Sequence, residues 1–357
     1  MKNTNSSIIL ATGGTGGHVL PAYSLAKYLI KNGYDITITS DTRGLQFLDN
    51  YLKIKVKKIE TTPLKKNIIF SIIKIFIAVM KSLLFLIFNR PKLIFGMGGY
   101  SSFPICFSAI ILQIPYIIYE NNLHVGKANK YLLPFSKKIF TSFKLIDGIK
   151  SKFANKTVFI GNILREEILN FEKSNEIKKE DNLKILIFGG SQAAKTFGDK
   201  LSKIFVEFKQ KGFNFTIFQQ CLPTQNDYLK ELYSQNNLDF KIFNFSFEIT
   251  NYYKLTNLVI SRAGSSALSE LVNCNIPVIC IPLPSAADNH QEKNARYFEE
   301  NGYCIKLSED QMVNKLPQLL EKLSEDKSIL NHMKNMQMKH SDKDVYIKIK
   351  SELDKIL

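Results

Sequence analysis

Cysteine is scarce in this chain, and no two of its cysteines form a Cys-x-x-Cys pair. Cys106, Cys221, Cys274, Cys280 and Cys304 are scattered and odd in number. That argues against a disulfide framework and a cysteine-based zinc site, and for reduced thiols in a cytosolic protein. The start, MKNTNSSIIL, lacks the apolar run of a signal peptide, which adds to the cytosolic expectation. Metal-binding patterns are as rare. The one Asp-x-Asp, Asp342 to Asp344, lies in a charged tail far from any expected strand end, so neither a metal nor another cofactor is expected. Arginine is also scarce, with only Arg43, Arg90, Arg165, Arg262 and Arg296, so lysine supplies nearly all of the +16 formal charge. A nucleic-acid binder would interleave basic and exposed aromatic residues along one groove. Here the densest basic stretch instead flanks an apolar segment, and no nucleic-acid partner is expected.

Two familiar phosphate loops are missing as well. A dinucleotide fingerprint needs Gly-x-Gly-x-x-Gly, and Val19 stands where the third glycine should be after Gly14 and Gly16. A second loop, GGSQAAKT from Gly189 to Thr196, nearly spells a P-loop, but Ala194 replaces the glycine before lysine. That motif also wants a later strand ending in Asp for magnesium, and NLVIS ends in Ser261.

What the chain does have is LATGGTGGHVLPAYSLAKYL, Leu10 to Leu29. Ser7 to Thr12 reads as a short buried strand, and Ala22, Leu25, Ala26 and Leu29 recur at helical spacing from Pro21 onward. Strand, glycine loop and helix together present backbone N–H groups and a helix N-terminus to an anion. Glycines without Cβ atoms let a phosphate or sugar come close. His18 follows the last glycine, as a base aimed at a ligand or as a cap of the helix.

The segment NIIFSIIKIFIAVMKSLLFLIF, Asn67 to Phe88, is about long enough to span a bilayer. Its polar and small residues, Asn67, Ser71, Lys74, Ala78, Lys81 and Ser82, fall within one arc of roughly 100°, which a spanning helix does not require. Lys53 to Lys92 carries ten basic residues against the single acid Glu60. The expectation is a helix with one flank on its domain and the other on an anionic inner-leaflet surface, with an ordinary buried crossover helix as the alternative.

Strand-like and helix-like runs alternate throughout. DITITS, KLIFGMGGY, IPYIIYE and KIFTSF follow the first helix; then comes the polar stretch Asn170 to Asn182; then the pattern restarts with LKILIFGGSQ. FNFTIFQQ, LDFKIFNF, NLVIS and IPVICIPLP continue it. The class is α/β: two domains, each a doubly wound parallel sheet opening with a glycine loop, facing a cleft. SRAGSSALSE places Arg262, Gly264, Ser265 and Ser266 at a strand-to-helix junction with Glu270 one turn in. Small residues at a helix start suit a diphosphate, and a carboxylate there accepts both hydroxyls of a ribose. PLPSAADNHQEKNA adds Asp288, Asn289, His290 and Gln291, side chains able to read a hexose.

GGTGGH, GGYSSFP, GGSQ, SRAGSSALSE and AADNHQEKNA occur in the order and spacing of the MurG family, and the chain resembles that family over nearly its whole length. The resemblance implies a GT-B fold of two Rossmann-like domains. It implies an inverting transferase moving N-acetylglucosamine from UDP-N-acetylglucosamine to the C4 hydroxyl of undecaprenyl-diphosphate-linked N-acetylmuramoyl-pentapeptide, in peptidoglycan synthesis at the cytoplasmic face of the membrane. A GT-B transferase acting on another lipid, such as diacylglycerol, is the alternative. Residues 1–161 would form the acceptor domain, 162–340 the UDP-sugar domain, and 341–357 a helix returning to the first. Carried over residue by residue, His18 is the candidate base. Thr15, Gly16, Gly17, Asn122, Arg165, Ser191, Ser246, Ser265, Ser266, Ala267, Leu268, Ser269, Glu270 and Gln291 would contact substrate. Tyr119 and Asn121 stand where the family usually has His and Gln, and Ala193-Ala194 and Ala263-Gly264 are further departures.

Overall fold

The computed structural model describes residues 6–48, 54–64, 68–172, 176–246 and 248–357, with the side chains of 190–194 and 287 set aside. Two compact units emerge. One runs to Glu166 and resumes over Asp342–Leu357; the other is Glu167–Ser341.

In the first unit, β1 (Ser7–Ala11) leads through the glycine loop into α1 (Gly16–Lys31), then β2 (Asp35–Ser40), α2 (Thr42–Leu45) and β3 (Lys55–Lys58). After α3 (Ile68–Phe88) come β4 (Leu93–Gly96), α4 (Phe103–Ile111), β5 (Tyr116–Glu120) and α5 (Lys127–Leu132). β6 (Lys138–Thr141) and β7 (Thr157–Phe159) complete the sheet, and α6 (Glu166–Leu169) leads out of it. Among the described residues the order is β3-β2-β1-β4-β5-β6-β7, all parallel. Helices cover both faces of such a sheet, so its central strands are apolar on both sides. Ile8 to Ala11, Leu93 to Phe95 and Ile117–Ile118 are accordingly buried. The order reverses between β1 and β4, where the carboxyl ends of the strands open a crevice for ligand.

α1 begins at Gly16, five residues before the expected start at Pro21. Gly16, Gly17 and His18 therefore lie in its first turn rather than in a loop. Pro21 has no N–H to give the carbonyl of Gly17. Asn121 Nδ2 supplies that bond instead, at 3.3 Å.

α3 departs in part from the expected arc. Ser71, Ala78 and Ser82 are buried with Val79 and Leu86, and Ser108 of α4 donates to the Val79 carbonyl at 3.2 Å. Small side chains let the two helix backbones approach. Lys74 and Lys81 of the same arc are exposed, and Asn67 lies outside the described residues. Only 22% of the apolar window of α3 is buried, which sets aside the buried-crossover alternative. Ile69, Ile72, Phe76 and Phe88 are each more than half exposed.

The second unit runs β8 (Leu183–Phe188), α7 (Gly190–Gln210), β9 (Phe215–Gln220), α8 (Asn226–Gln235), β10 (Asp239–Phe243) and α9 (Ile249–Leu255). It continues through β11 (Leu258–Ser261), α10 (Ser265–Asn273), β12 (Val278–Cys280), α11 (His290–Glu300) and β13 (Ile305–Lys306). α12 (Met312–Glu325) and α13 (Ser328–Gln337) close it. Its parallel order is β10-β9-β8-β11-β12-β13, with the reversal between β8 and β11. Phe197, Leu201, Phe205 and Phe208 of α7 and Leu316, Leu320 and Leu323 of α12 share one apolar core with Ile185, Ile187 and Ile217 of the sheet.

The chain returns to the first unit in α14 (Val345–Ile356), where Tyr346 stacks on Tyr28 with ring centroids 4.7 Å apart. Asp342, at the re-entry, accepts from Asn162 N at 3.0 Å. Asp342 is thus a buried structural carboxylate. All five cysteines are buried and reduced.

Candidate functional site

In the first unit the sequence-predicted residues gather beyond the carboxyl ends of β1, β4 and β5. His18, in the first turn of α1, places Nδ1 3.1 Å from the Met97 carbonyl oxygen. A carbonyl only accepts, which assigns the proton of the neutral ring to Nδ1 and its basic lone pair to Nε2. The ring lies against Gly98 and Gly99, both at left-handed φ (+84° and +74°), where a Cβ would stand 3.3 Å and 3.1 Å from it. Any side chain there would push the imidazole away.

Thr15 immediately precedes α1, exposed and without a capping bond from its side chain. Asn122 donates from its backbone N and Nδ2 to Glu120 Oε1, at 3.1 Å and 3.3 Å, and from Nδ2 to Asn121 Oδ1 at 2.9 Å. Glu120 Oε2 accepts from Gly126 N and Asn129 Nδ2, both at 2.9 Å. Burial pushes the Glu120 carboxyl above its ordinary range, although these hydrogen bonds oppose the shift. Tyr119, in place of the family's usual histidine, is buried; its hydroxyl accepts from Ser142 Oγ at 2.8 Å and Ile163 N at 3.0 Å. Arg165, half-buried, directly precedes α6.

One carboxylate at this end of the sheet went unread in the sequence. Asp41, following β2, is 2% exposed. Its Oδ1 accepts from Gly14 N at 2.8 Å and Gly44 N at 2.9 Å. Its Oδ2 accepts from the Tyr100 hydroxyl at 2.7 Å and Ser101 Oγ at 3.1 Å. Burial pushes its pKa up, but the bonds from Tyr100, Gly14, Gly44 and Ser101 outweigh burial and hold the carboxyl below its ordinary value. The available signal was an Asp directly after an apolar strand, able to cap the next helix. One N–H of the glycine loop is therefore spent on an internal carboxylate.

In the second unit, Ser265 to Glu270 form the first turns of α10, with Gly264 before them. Ser265, Leu268 and Ser269 are buried, whereas Ser266, Ala267 and Glu270 are partly exposed. Glu270 Oε2 accepts from the Tyr253 hydroxyl of α9 at 3.3 Å. Ser246, between β10 and α9, accepts from Glu248 N at 3.2 Å. Ser191 is in the first turn of α7, its side chain outside the described residues. Gln291, in the first turn of α11, accepts through Oε1 from Leu283 N at 3.0 Å. That bond fixes which end of the amide accepts, leaving Nε2 as its donor end. Asp288 and Asn289 just before it are both left-handed (φ 52° and 55°), a strained pair that sets the entry to α11. Arg262 is buried, donates to the carbonyls of Ile281 and Pro282 at 3.3 Å, and pairs with Glu309 at 2.6 Å. A cavity of about 580 Å³ opens beside it, lined by Lys195, Thr196, Leu283, Ser285 and Glu309 among others. It lies beyond the ends of β8, β11 and β12. No cluster of potential metal ligands occurs among the described residues.

The N-terminal domain of glycosyltransferase family 28 matches residues 8–141, and its C-terminal domain matches 184–348. A Pelagibacter ubique protein is 33% identical over 98% of this chain and 99% of its own length. A Rickettsia felis protein is 36% identical over 90% of this chain and 93% of its own. The chain belongs to glycosyltransferase family 28. Both relatives are named UDP-N-acetylglucosamine--N-acetylmuramyl-(pentapeptide) pyrophosphoryl-undecaprenol N-acetylglucosamine transferase. The crystal structure of Acinetobacter baumannii MurG shares the family 28 fold at a TM-score of 0.78, with 23% identity over 98% of this chain and 99% of that one. Two doubly wound parallel sheets, each switching order at its glycine loop, are the GT-B fold expected of family 28.

Proposed function

We propose that this chain transfers N-acetylglucosamine from UDP-N-acetylglucosamine to the C4 hydroxyl of a polyprenyl-diphosphate-linked N-acetylmuramoyl-pentapeptide. The observation that carries the reading is kinship along the whole chain, 33% identity over 98% of it, with a relative named for that transfer. The donor is assigned chiefly to the second unit: Glu270 the ribose, the start of α10 and Ser191 the diphosphate, Ser246 the uracil and Gln291 the sugar; Arg165, just before the unit boundary, is assigned to the diphosphate as well. The first unit is assigned the acceptor, its diphosphate at Thr15, Gly16 and Gly17 and its sugar near Asn122.

The acceptor's C4 oxygen attacks C1 of the α-linked sugar. The C1–O bond to UDP breaks with its electron pair going to the β-phosphate oxygen, and the hydroxyl proton goes to His18 Nε2. Inversion leaves a β1,4 bond. Met97 favours this direction of transfer, because its carbonyl accepts a hydrogen bond from Nδ1–H and stabilises the imidazolium that forms. Leaving-group charge is met by helix N-termini and Arg165.

Association with the anionic inner leaflet is assigned to α3 and its basic surroundings, which would keep the enzyme peripheral at the cytoplasmic face where a lipid-linked acceptor lies.

Calorimetry with UDP-N-acetylglucosamine, UDP-glucose and UDP-galactose tests the donor, and single-turnover transfer to the lipid-linked muramoyl acceptor or to diacylglycerol tests the acceptor. The first of each set should be strongly preferred; preference for diacylglycerol overturns the acceptor assignment. His18→Ala should lower kcat by ~10²-fold or more at unchanged donor affinity. A stable, fully active His18→Asn would make His18 a helix cap and place the base elsewhere.

A further inference from the structure

Two strand-end loops meet at His18. Its own turn begins at Gly16, its Nδ1 is held by Met97, and its ring rests on Gly98 and Gly99. The glycine turn that leads into it and the loop its ring rests on both bond to the carboxylate of Asp41. Oδ1 takes the Gly14 N–H, two residues before α1, while Oδ2 takes Tyr100 and Ser101, immediately after Gly99. The packing at that crossing leaves no slack. Gly13 is at φ +147°, and a Cβ there would stand 2.7 Å from Asp41 Oδ1 and 2.7 Å from Ser101 Cβ.

We propose that Asp41 is a positioning residue for the transfer reaction, clamping the glycine turn against the Met97–Ser101 loop so that His18 Nε2 is held on the attacking hydroxyl. The role rests on reading His18 as the base. Asp41 is buried beneath both loops and touches the imidazole only through them. Its ionised form is the effective one, since four donors converge on two oxygens; an amide would turn one of those acceptors into a donor facing two hydroxyl groups. The main-chain bonds of Gly14 and Gly44 alone would leave Tyr100 and Ser101, at the far end of the Met97–Ser101 loop, untied from the carboxylate.

The test uses the full chain with ¹⁵N-labelled histidine, the His18 signal being the one lost in His18→Ala. In the wild type that signal should report a single tautomer protonated at Nδ1. Asp41→Asn should move it toward a mixture, and should lower kcat by about 10- to 100-fold, the usual result of displacing a reacting group by an ångström or less. Affinity for UDP-N-acetylglucosamine should stay unchanged, and Asp41→Asn should add almost nothing when combined with His18→Ala. An unmoved signal with wild-type kcat overturns the proposal. So does a loss of the same size in the His18→Ala background, because Asp41 would then act by another route. Ser101→Ala keeps the carboxylate and removes one buried donor, so it covers the case in which Asp41→Asn does not fold. It should shift the same signal in the same direction, by less, and no shift counts against the clamp. Undiminished transfer by His18→Ala would instead reject the base while the signal in Asp41→Asn still judged the clamp.

Discussion

Two buried carboxylates in the first unit show how environment decides what an acid does. Asp41 and Glu120 are each 2% exposed. Burial raises both, but Asp41 collects two N–H and two O–H donors strong enough to reverse the shift, while around Glu120 burial wins. The consequence for stability has a definite sign. A carboxyl depressed in the folded state contributes stability in full above its unfolded pKa, ordinarily ~3.9, and loses it as pH falls through the folded value. Wild type should therefore exceed Asp41→Asn at pH 7 by about 1–3 kcal/mol, the cost of leaving buried donors badly matched. That gap should shrink as the solution is acidified below ~pH 4. Denaturant midpoints at several pH values check it, and a gap that grows in acid would mean Asp41 is not stabilised as an anion. Glu120 acts with the opposite sign, its charged form being the one burial disfavours.

Among the elements, α3 sets a long apolar surface against little protein. Its buried side is built from Ser71, Ala78 and Ser82, small enough for close approach to α4, so its bulky Ile and Phe residues turn outward. Replacing Ile72 and Phe76 together by Ser should lower partition onto anionic vesicles by ~10-fold or more, from lost apolar burial in the interface. The thermal melt should move little, because both side chains are more than half exposed. High salt should release part of the wild type by screening the lysines, and the apolar flank should retain the rest. Equal partition of the double variant would show that another surface makes the contact. Strand positions were largely legible: DITITS, rich in β-branched residues, is β2 and the apolar run LKILIF is β8. β3, β7 and β13 were not, since edge strands are short and half-exposed. β3 reads KVKK, and lysine on an edge guards against further pairing rather than announcing a strand. The start of α1 was misplaced because glycines at 16 and 17 look like loop; a first turn tolerates them, and Asn121 supplies the bond that Pro21 cannot make.

For the molecule as a whole, the two units are built alike, each a parallel sheet whose order reverses beside a glycine loop. If donor binding belongs to the second unit, UDP-N-acetylglucosamine should slow backbone hydrogen exchange around 189–196, 262–270 and 283–291. Residues 12–18 should respond only when a muramoyl acceptor is added as well. Protection of 12–18 by the nucleotide sugar alone would move donor contacts into the first unit. All five cysteines are buried, and Cys106 and Cys221 are pushed up by burial to about 12 and about 11, so thiol chemistry plays no part in this scheme.

Periodicity and punctuation along the chain were enough to specify two βα units, because apolar runs and glycine turns are local signals that neighbouring residues complete. The motifs sufficed for kinship with a sugar-nucleotide transferase family for the same reason: GGTGGH and SRAGSSALSE are contiguous. What a linear reading had no means of reaching were contacts between residues far apart. Asp41 meets Tyr100 and Ser101 across roughly sixty residues, and Asn121 meets Gly17 across about a hundred. The tautomer of His18 likewise depends on a carbonyl at Met97, and the choice between a buried and an exposed α3 on which side chains α4 happens to cover. Each of these is set by where the parallel sheet brings its strand ends and covering helices, and that placement exists only once the sheet has formed.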